Sequence, residues 1–382
     1  MARTRVANIT MSSYHNPQIH PPHWPFLDII RWGAAWLVML GHVRYLYFES
    51  LDQVDGPSVA TKAFYFFTGL QNEGVVMFFV VSGFLVGGSI WAAFDENRFD
   101  GVRYLVNRIV RIFLVFYPAL LLALLILFIG KNHLSDTRVF AQLPGQSTSL
   151  NMAICHLACL QGTICSVIVS NSPLWSLSYE WLLYIMAPFF FMLYYLPIGM
   201  IWRLAGLFLF LSTFYSVLPK HILWFWFGYW LSGVIAWRIL IKGGTGKFLG
   251  VAGLVLVGLA CILSRAHLIP VLSSNLTLVL GLTTAIASRT IISWSPAPIQ
   301  IGYLASFSYS LYVIHMPVAT LIAGLMEWAG WSSSLSQPGF SAYAVFCFTI
   351  VVVVAFAALF ARLTEYHTAR LRRTILYFYR RQ

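Results

Sequence analysis

Apolar stretches of about 17 to 25 residues, the length that crosses a hydrocarbon core, recur along the chain. They lie near 26–48, 74–94, 109–130, 174–195, 198–217, 221–240, 247–264, 273–290, 301–326 and 341–363. Short polar joints separate them, and the pattern predicts an all-α polytopic integral membrane protein with about ten transmembrane helices. A further stretch, 149–170, carries His156, Gln161 and several small polar residues, and reads as a re-entrant or interfacial piece. No polar stretch between the spans is long enough to build a soluble core. The chain divides into a polar lead-in over 1–25, a transmembrane unit over 26–365 and a basic tail over 366–382. The lead-in has no apolar run of signal-peptide length.

Composition sharpens this picture. The chain is 59% hydrophobic and only 9% charged, where soluble domains carry roughly 25% charged residues. A formal charge of +12 would suit nucleic acid, but the basic residues are spread between apolar runs and not gathered on one face. Positive-inside topology explains that spread, so no nucleic-acid partner is expected. With the N-terminus in the cytoplasm, 18 Lys and Arg fall inside and 6 outside. Both termini are therefore expected to be cytoplasmic, as an even number of spans requires.

Five cysteines are present, three of them (Cys155, Cys159, Cys165) in the 149–170 region. An oxidising compartment would allow one disulfide among them; inert apolar thiols are the preferred reading. No CxxC pair, HExxH, Walker loop, dinucleotide fingerprint or GxSxG elbow occurs. His15, His20 and His23 in the lead-in read as a polar tail, so no metal site is expected.

Several ionisable residues interrupt the spans, at about 2.5 to 3.5 kcal/mol each on insertion scales. Arg31 and His42 share the first span, eleven residues apart, which returns to within roughly 20° of one helix face about 16 Å along the axis. Snorkelling would account for Arg31 alone and a satisfied interior histidine for His42 alone; their alignment on one stripe favours function. Arg108 and Arg111, spaced i and i+3, share a face at the cytoplasmic mouth of the third span. They suit either topology anchoring or bidentate grip on phosphate. Glu180 in the fourth span falls at the depth of His42, roughly 7 Å outward of the membrane centre. That match predicts a Glu180–His42 pair in which the carboxylate fixes the imidazole tautomer. Two further segments are unusually polar: "MFFVVSGFLVGG", whose Ser82, Gly83, Gly87 and Gly88 fit close helix packing, and "SFSYSLYVIHMPV", whose His315 stands near mid-membrane.

Taken together, "FLDIIRWGAAWLVMLGH", "GVVMFFVVSGFLVGG", "RIVR", "PLWSLSYEWLLY" and "SYSLYVIHMPV" resemble, in order, the motifs of the acyltransferase 3 family of polytopic membrane O-acyltransferases. The resemblance implies transfer of an acyl group, acetyl in the first place, from acyl-CoA to a hydroxyl of a cell-surface polysaccharide or glycolipid in the bacterial inner membrane. It places Arg31 and His42 as the family's essential first-helix pair, Arg108 and Arg111 as the donor-binding pair, and Glu180 as its acidic residue. No permanently bound cofactor is implied; acyl-CoA is the donor substrate. The second-span motif departs from the family at Val76 and Met77, where an acidic residue often stands. The fused extracytoplasmic hydrolase-like domain that some relatives use to finish transfer is not expected here, so the resemblance implies that the chain completes transfer itself or hands the acyl group to a separate protein. On this reading His42 acts as general base on the acceptor or briefly carries the acyl group. A secondary transporter is the alternative, since it too buries ionisable residues. Release of free coenzyme A would separate the two.

Overall fold

Every expected span is helical. The computed structural model describes residues 24–143, 149–197, 199–217, 222–331, 335–379 and 381. In chain order the helices are α1 (Pro25–Tyr47), α2 (Val59–Phe67), α3 (Gln71–Ser82), α4 (Gly88–Asp95), α5 (Gly101–His133), α6 (Arg138–Ala141) and α7 (Leu150–Leu157). They continue with α8 (Trp175–Tyr195), α9 (Met200–Val217), α10 (Ile222–Ile241), α11 (Lys247–Arg265), α12 (Val271–Ile286) and α13 (Arg289–Ile292). The last four are α14 (Pro298–Ala305), α15 (Ser308–Trp328), α16 (Phe340–Leu363) and α17 (Thr368–Tyr379). Among the described residues there is no β-strand, only isolated bridges. Among the described residues eight helical stretches are long and apolar enough to cross a membrane; the expected spans at 198–217 and 273–290 give the shorter apolar stretches Met200–Leu209 and Val271–Ile286. The protein is an all-α polytopic membrane protein. The histidines of the lead-in lie outside the described residues.

The helix faces divide by what they touch. On α5, Leu121, Leu124, Leu125 and Phe128 are exposed at helical spacing, whereas Val115, Phe116, Ala119 and Ala123 are buried. The outward stripe has only lipid to face, and the inward stripe packs the bundle. α1 is the central element, packed against α3, α14, α15 and α16, with Ala34, Ala35 and Val38 completely enclosed.

Small residues set the closest approach, as their pattern predicts. A Cβ on Gly83 would fall 1.7 Å from the backbone oxygen of Trp230, and one on Gly87 2.3 Å from Val234. Gly88 meets Trp237 in the same way. These glycines are where α10 crosses the π-helical turn Gly83–Gly87 that joins α3 to α4. A π turn inserts one residue into the helical ladder, which rotates α4 relative to α3 and lets Ser82 face inward while the glycines face α10.

Prolines inside the helices free carbonyls four residues back, and for two of them the bundle supplies a side-chain donor. Pro317 leaves the Val313 carbonyl without a helical partner, and the Asn171 side chain donates to it at 2.8 Å. Pro188 does the same to Tyr184, whose carbonyl accepts from the Tyr104 hydroxyl at 2.8 Å. Without such donors each freed carbonyl in an apolar bundle would cost about 1 to 3 kcal/mol.

The 149–170 region does not span. α7 is short, and the chain turns back into the bundle: Tyr117 donates to the Leu157 carbonyl at 3.1 Å, and Ser170 to the Ala123 carbonyl at 2.9 Å. Cys155 and Cys165 form a disulfide across this turn, which corrects the preference for inert thiols at those two positions. The expectation holds for Cys159, fully enclosed, whose thiol burial pushes up to about 12. The basic tail, finally, is not a loose end in its described part: α17 packs against α5.

Candidate active site

Six helices converge on a cavity of 410 Å³, within the range that holds small-molecule substrates. Its walls carry Arg31 from α1, Ser82 from the end of α3, Arg108 and Arg111 from α5, and Ser176, Glu180 and Tyr184 from α8. α15 adds Ser308, Tyr309 and Tyr312, and α17 adds Arg372. Four of the five residues singled out from the sequence therefore share one space. His42 is the exception.

The guanidiniums are held by unequal means. Arg31 donates to the Ala305 carbonyl at 3.3 Å and pairs with Asp28 at 3.4 Å. Asp28 lies one turn earlier on the same helix. Arg108 lies over the rings of Tyr104 and Tyr184, at 5.8 and 5.4 Å, and its buried Nε has no hydrogen-bond partner. No described residue accepts a hydrogen bond from Arg111; the opposite charge that bears on it is Glu365. Four guanidiniums thus face one lining carboxylate, Glu180. A cavity with that balance is suited to an anion of several charges.

Glu180 is not where the depth argument put it. Its Oε1 accepts from the Tyr184 hydroxyl, one turn along α8, and that hydroxyl accepts in turn from Ser82 Oγ at 3.2 Å. The expected Glu180–His42 pair does not form. Equal depth fixes one coordinate only; the helix packed along α1 on this side is α15, whereas α8 lies against α4, α5 and α10. Glu180 therefore faces the cavity, and α15 supplies the partner of His42.

That partner is His315. Its Nε2 lies 3.1 Å from Nδ1 of His42, and the two rings are 5.1 Å apart. Nδ1 of His315 lies 2.7 Å from the Tyr312 carbonyl. A carbonyl only accepts, so His315 Nδ1 carries the proton and its Nε2, in a neutral ring, is an acceptor. His42 must then donate from Nδ1, which leaves Nε2 of His42 with a lone pair and no proton. His315 is wholly enclosed and His42 only partly, so the free nitrogen belongs to the more accessible ring.

One aromatic side chain separates the cavity from this pair. Tyr312 lines the cavity and its ring centre is 6.0 Å from that of His315. Phe78 closes edge-on against it at 5.3 Å. The Tyr312 hydroxyl hydrogen-bonds Ser176 Oγ and donates to the Pro173 carbonyl at 3.2 Å, which fixes the ring at the inner end of the cavity.

Three residues of this site were not legible as such. His315 was visible as a polar interruption, but nothing in its spacing pointed to His42. Glu365 stands at the end of the last span, where it accepts from the Ser310 amide and hydroxyl at 3.0 and 2.8 Å. Arg372 lay among the tail arginines with no feature to distinguish it. A buried Glu73, which accepts from Ser264 Oγ, lies elsewhere in the bundle. Among the described residues no group of three or more His, Cys, Asp or Glu gathers as a metal site.

A family model described as an acyltransferase domain matches residues 24–362, nearly the whole chain. No curated protein and no solved structure matches.

Proposed function

The chain belongs to the acyltransferase 3 family and is a membrane acyltransferase; from that premise we propose that its donor is acyl-CoA, acetyl-CoA in the first place, and its acceptor a hydroxyl of a cell-surface polysaccharide or glycolipid. The observation that carries the donor assignment is the meeting of Arg31, Arg108 and Arg111 in one cavity with a single lining carboxylate. Coenzyme A presents several phosphate charges at one end and a thin thioester arm at the other. The guanidiniums suit the first, and the apolar part of the wall, with Val75, Phe78 and Phe79, suits the second.

In this reading the cavity mouth faces the cytoplasm of a bacterial cell and the membrane is the inner membrane. The arm passes Tyr312 to bring its thioester to His42. Nε2 of His42 takes the proton of the acceptor hydroxyl as its oxygen attacks the thioester carbonyl. The C–S bond breaks, and the leaving thiolate takes that proton from His42, so free coenzyme A and an ester are the products. His315 acts through His42: it accepts the Nδ1 proton in a hydrogen bond and holds the ring with Nε2 available. Glu180 shapes the donor cavity with Tyr184 and Ser82. Family membership displaces the transporter alternative.

The test is reconstitution of the purified protein with acetyl-CoA and isolated surface polysaccharide. Thiol release that depends on the polysaccharide, with a matching mass increase on the glycan, is the expected result. Hydrolysis or inertness with every glycan offered, against turnover with a non-carbohydrate acceptor, would reject the acceptor class.

A further inference from the structure

The family match ends at residue 362, yet the cavity does not. Its wall includes Arg372, ten residues further on, in α17. Two observations make this arginine more than a topology signal. First, the charges that bear on it are Arg108, Arg103, Arg111 and Arg373, all cations, and no described residue accepts a hydrogen bond from it. Helix packing has brought four guanidiniums together on a cavity wall that carries one carboxylate, Glu180. Second, α17 is held there by its own sequence. Leu371, Ile375 and Phe378 recur at helical spacing and are exposed, where they can face lipid; α17 lies against α5, and Glu365, just before it, is anchored to Ser310. An amphipathic helix with basic residues on its polar side suits a membrane interface, and Arg372 of this one lines the cavity.

We propose that α17 is part of the donor site, and that Arg372 joins Arg108 and Arg111 as a third guanidinium gripping a phosphate group of the donor. The inference rests on the acyl-CoA reading and extends the binding site to an element outside the family match. The same chemistry could be met by the phosphate of an anionic lipid; the position of Arg372 on the cavity wall, beside two arginines of the predicted donor pair, favours the soluble donor.

Binding of coenzyme A and of pantetheine, which lacks the phosphates, is measured on the full chain in nanodiscs of neutral lipid. Arg372→Ala should weaken coenzyme A by roughly two- to fivefold, the scale of a partly exposed ionic contact, and leave pantetheine unchanged. Arg372→Lys should recover part of the loss. Arg381→Ala, at the far end of the helix, should bind as the parent does. Thermal unfolding of each variant checks that α17 remains docked. Unchanged coenzyme A affinity in Arg372→Ala overturns this inference while leaving the donor reading intact; a parent protein that binds no coenzyme A overturns both. Loss of affinity for anionic lipid alone, with coenzyme A unaffected, assigns Arg372 to the bilayer and likewise overturns it.

Discussion

Nδ1 of His42 and Nε2 of His315 lie 3.1 Å apart across the seam between α1 and α15, 273 residues distant in sequence. Because the other nitrogen of His315 is committed to the Tyr312 carbonyl, the proton order along the pair has one neutral solution, and it ends on an unprotonated Nε2 at His42. In the proposed mechanism a neutral histidine takes the place of the carboxylate that orients imidazole in the familiar triad. No ion has to be buried to achieve it.

His42→Ala is expected to abolish acyl transfer with membrane insertion and abundance unchanged. His315→Leu, which removes the acceptor for the Nδ1 proton, should lower kcat by about a hundredfold, the lower range of acid–base catalysis, with the donor KM little changed. His315→Gln offers a side-chain oxygen in a similar place and should retain more activity. Steady-state kinetics on the purified variants decides; equal activity of His315→Leu and the parent would leave His315 a packing residue.

Arg108→Lys and Arg111→Lys keep the charge but lose the planar fork. If both arginines hold donor phosphate, each change should weaken acyl-CoA binding by roughly ten- to a hundredfold, the equivalent of about 1.5 to 3 kcal/mol for a charge-assisted hydrogen bond. Titration of acyl-CoA in detergent measures it, with unfolding recorded alongside. Unaltered affinity in both would reduce them to positive-inside anchors.

The cysteines should separate by a count of reactive thiols. Denatured without reductant, the protein should take three maleimide groups, at Cys159, Cys261 and Cys347, and five after reduction of the Cys155–Cys165 bond. In the native protein Cys159 should stay unlabelled at neutral pH. Burial disfavours its thiolate, so the reactive form accumulates only toward pH 12, and alkylation should rise with pH rather than fall. Five thiols without reduction would remove the disulfide.

Gly83→Val should fail to accumulate as folded protein, since even its Cβ would overlap the Trp230 carbonyl at 1.7 Å and force α3 and α10 apart. Gly228→Ala, on the same α10 but with nothing within 4 Å of the added carbon, should be nearly silent. Fluorescence-detected size exclusion of the two variants compares them directly.

What the amino-acid order determined here is whatever depends on one helix at a time. Length and apolarity sufficed to find ten apolar helical stretches, eight of which are long enough to span among the described residues, because each satisfies its own backbone and needs no partner to be helical in lipid. Alignment of Arg31 with His42, and of Arg108 with Arg111, also follows from the rotation of a single helix, and the first, third and fourth spans do bring Arg31, Arg108, Arg111 and Glu180 to one cavity. Pairing between helices follows from neither depth nor spacing. Glu180 and His42 were matched by depth, but the azimuth of α8 turns the carboxylate to Tyr184, and the packing of α15 along α1 places His315 against His42. Arg372 and Glu365 reach the cavity region for the same reason: a chain end carries no signal of the groove into which it docks. Local periodicity fixes which way a side chain points on its own helix, and only the crossing of helices decides what it points at.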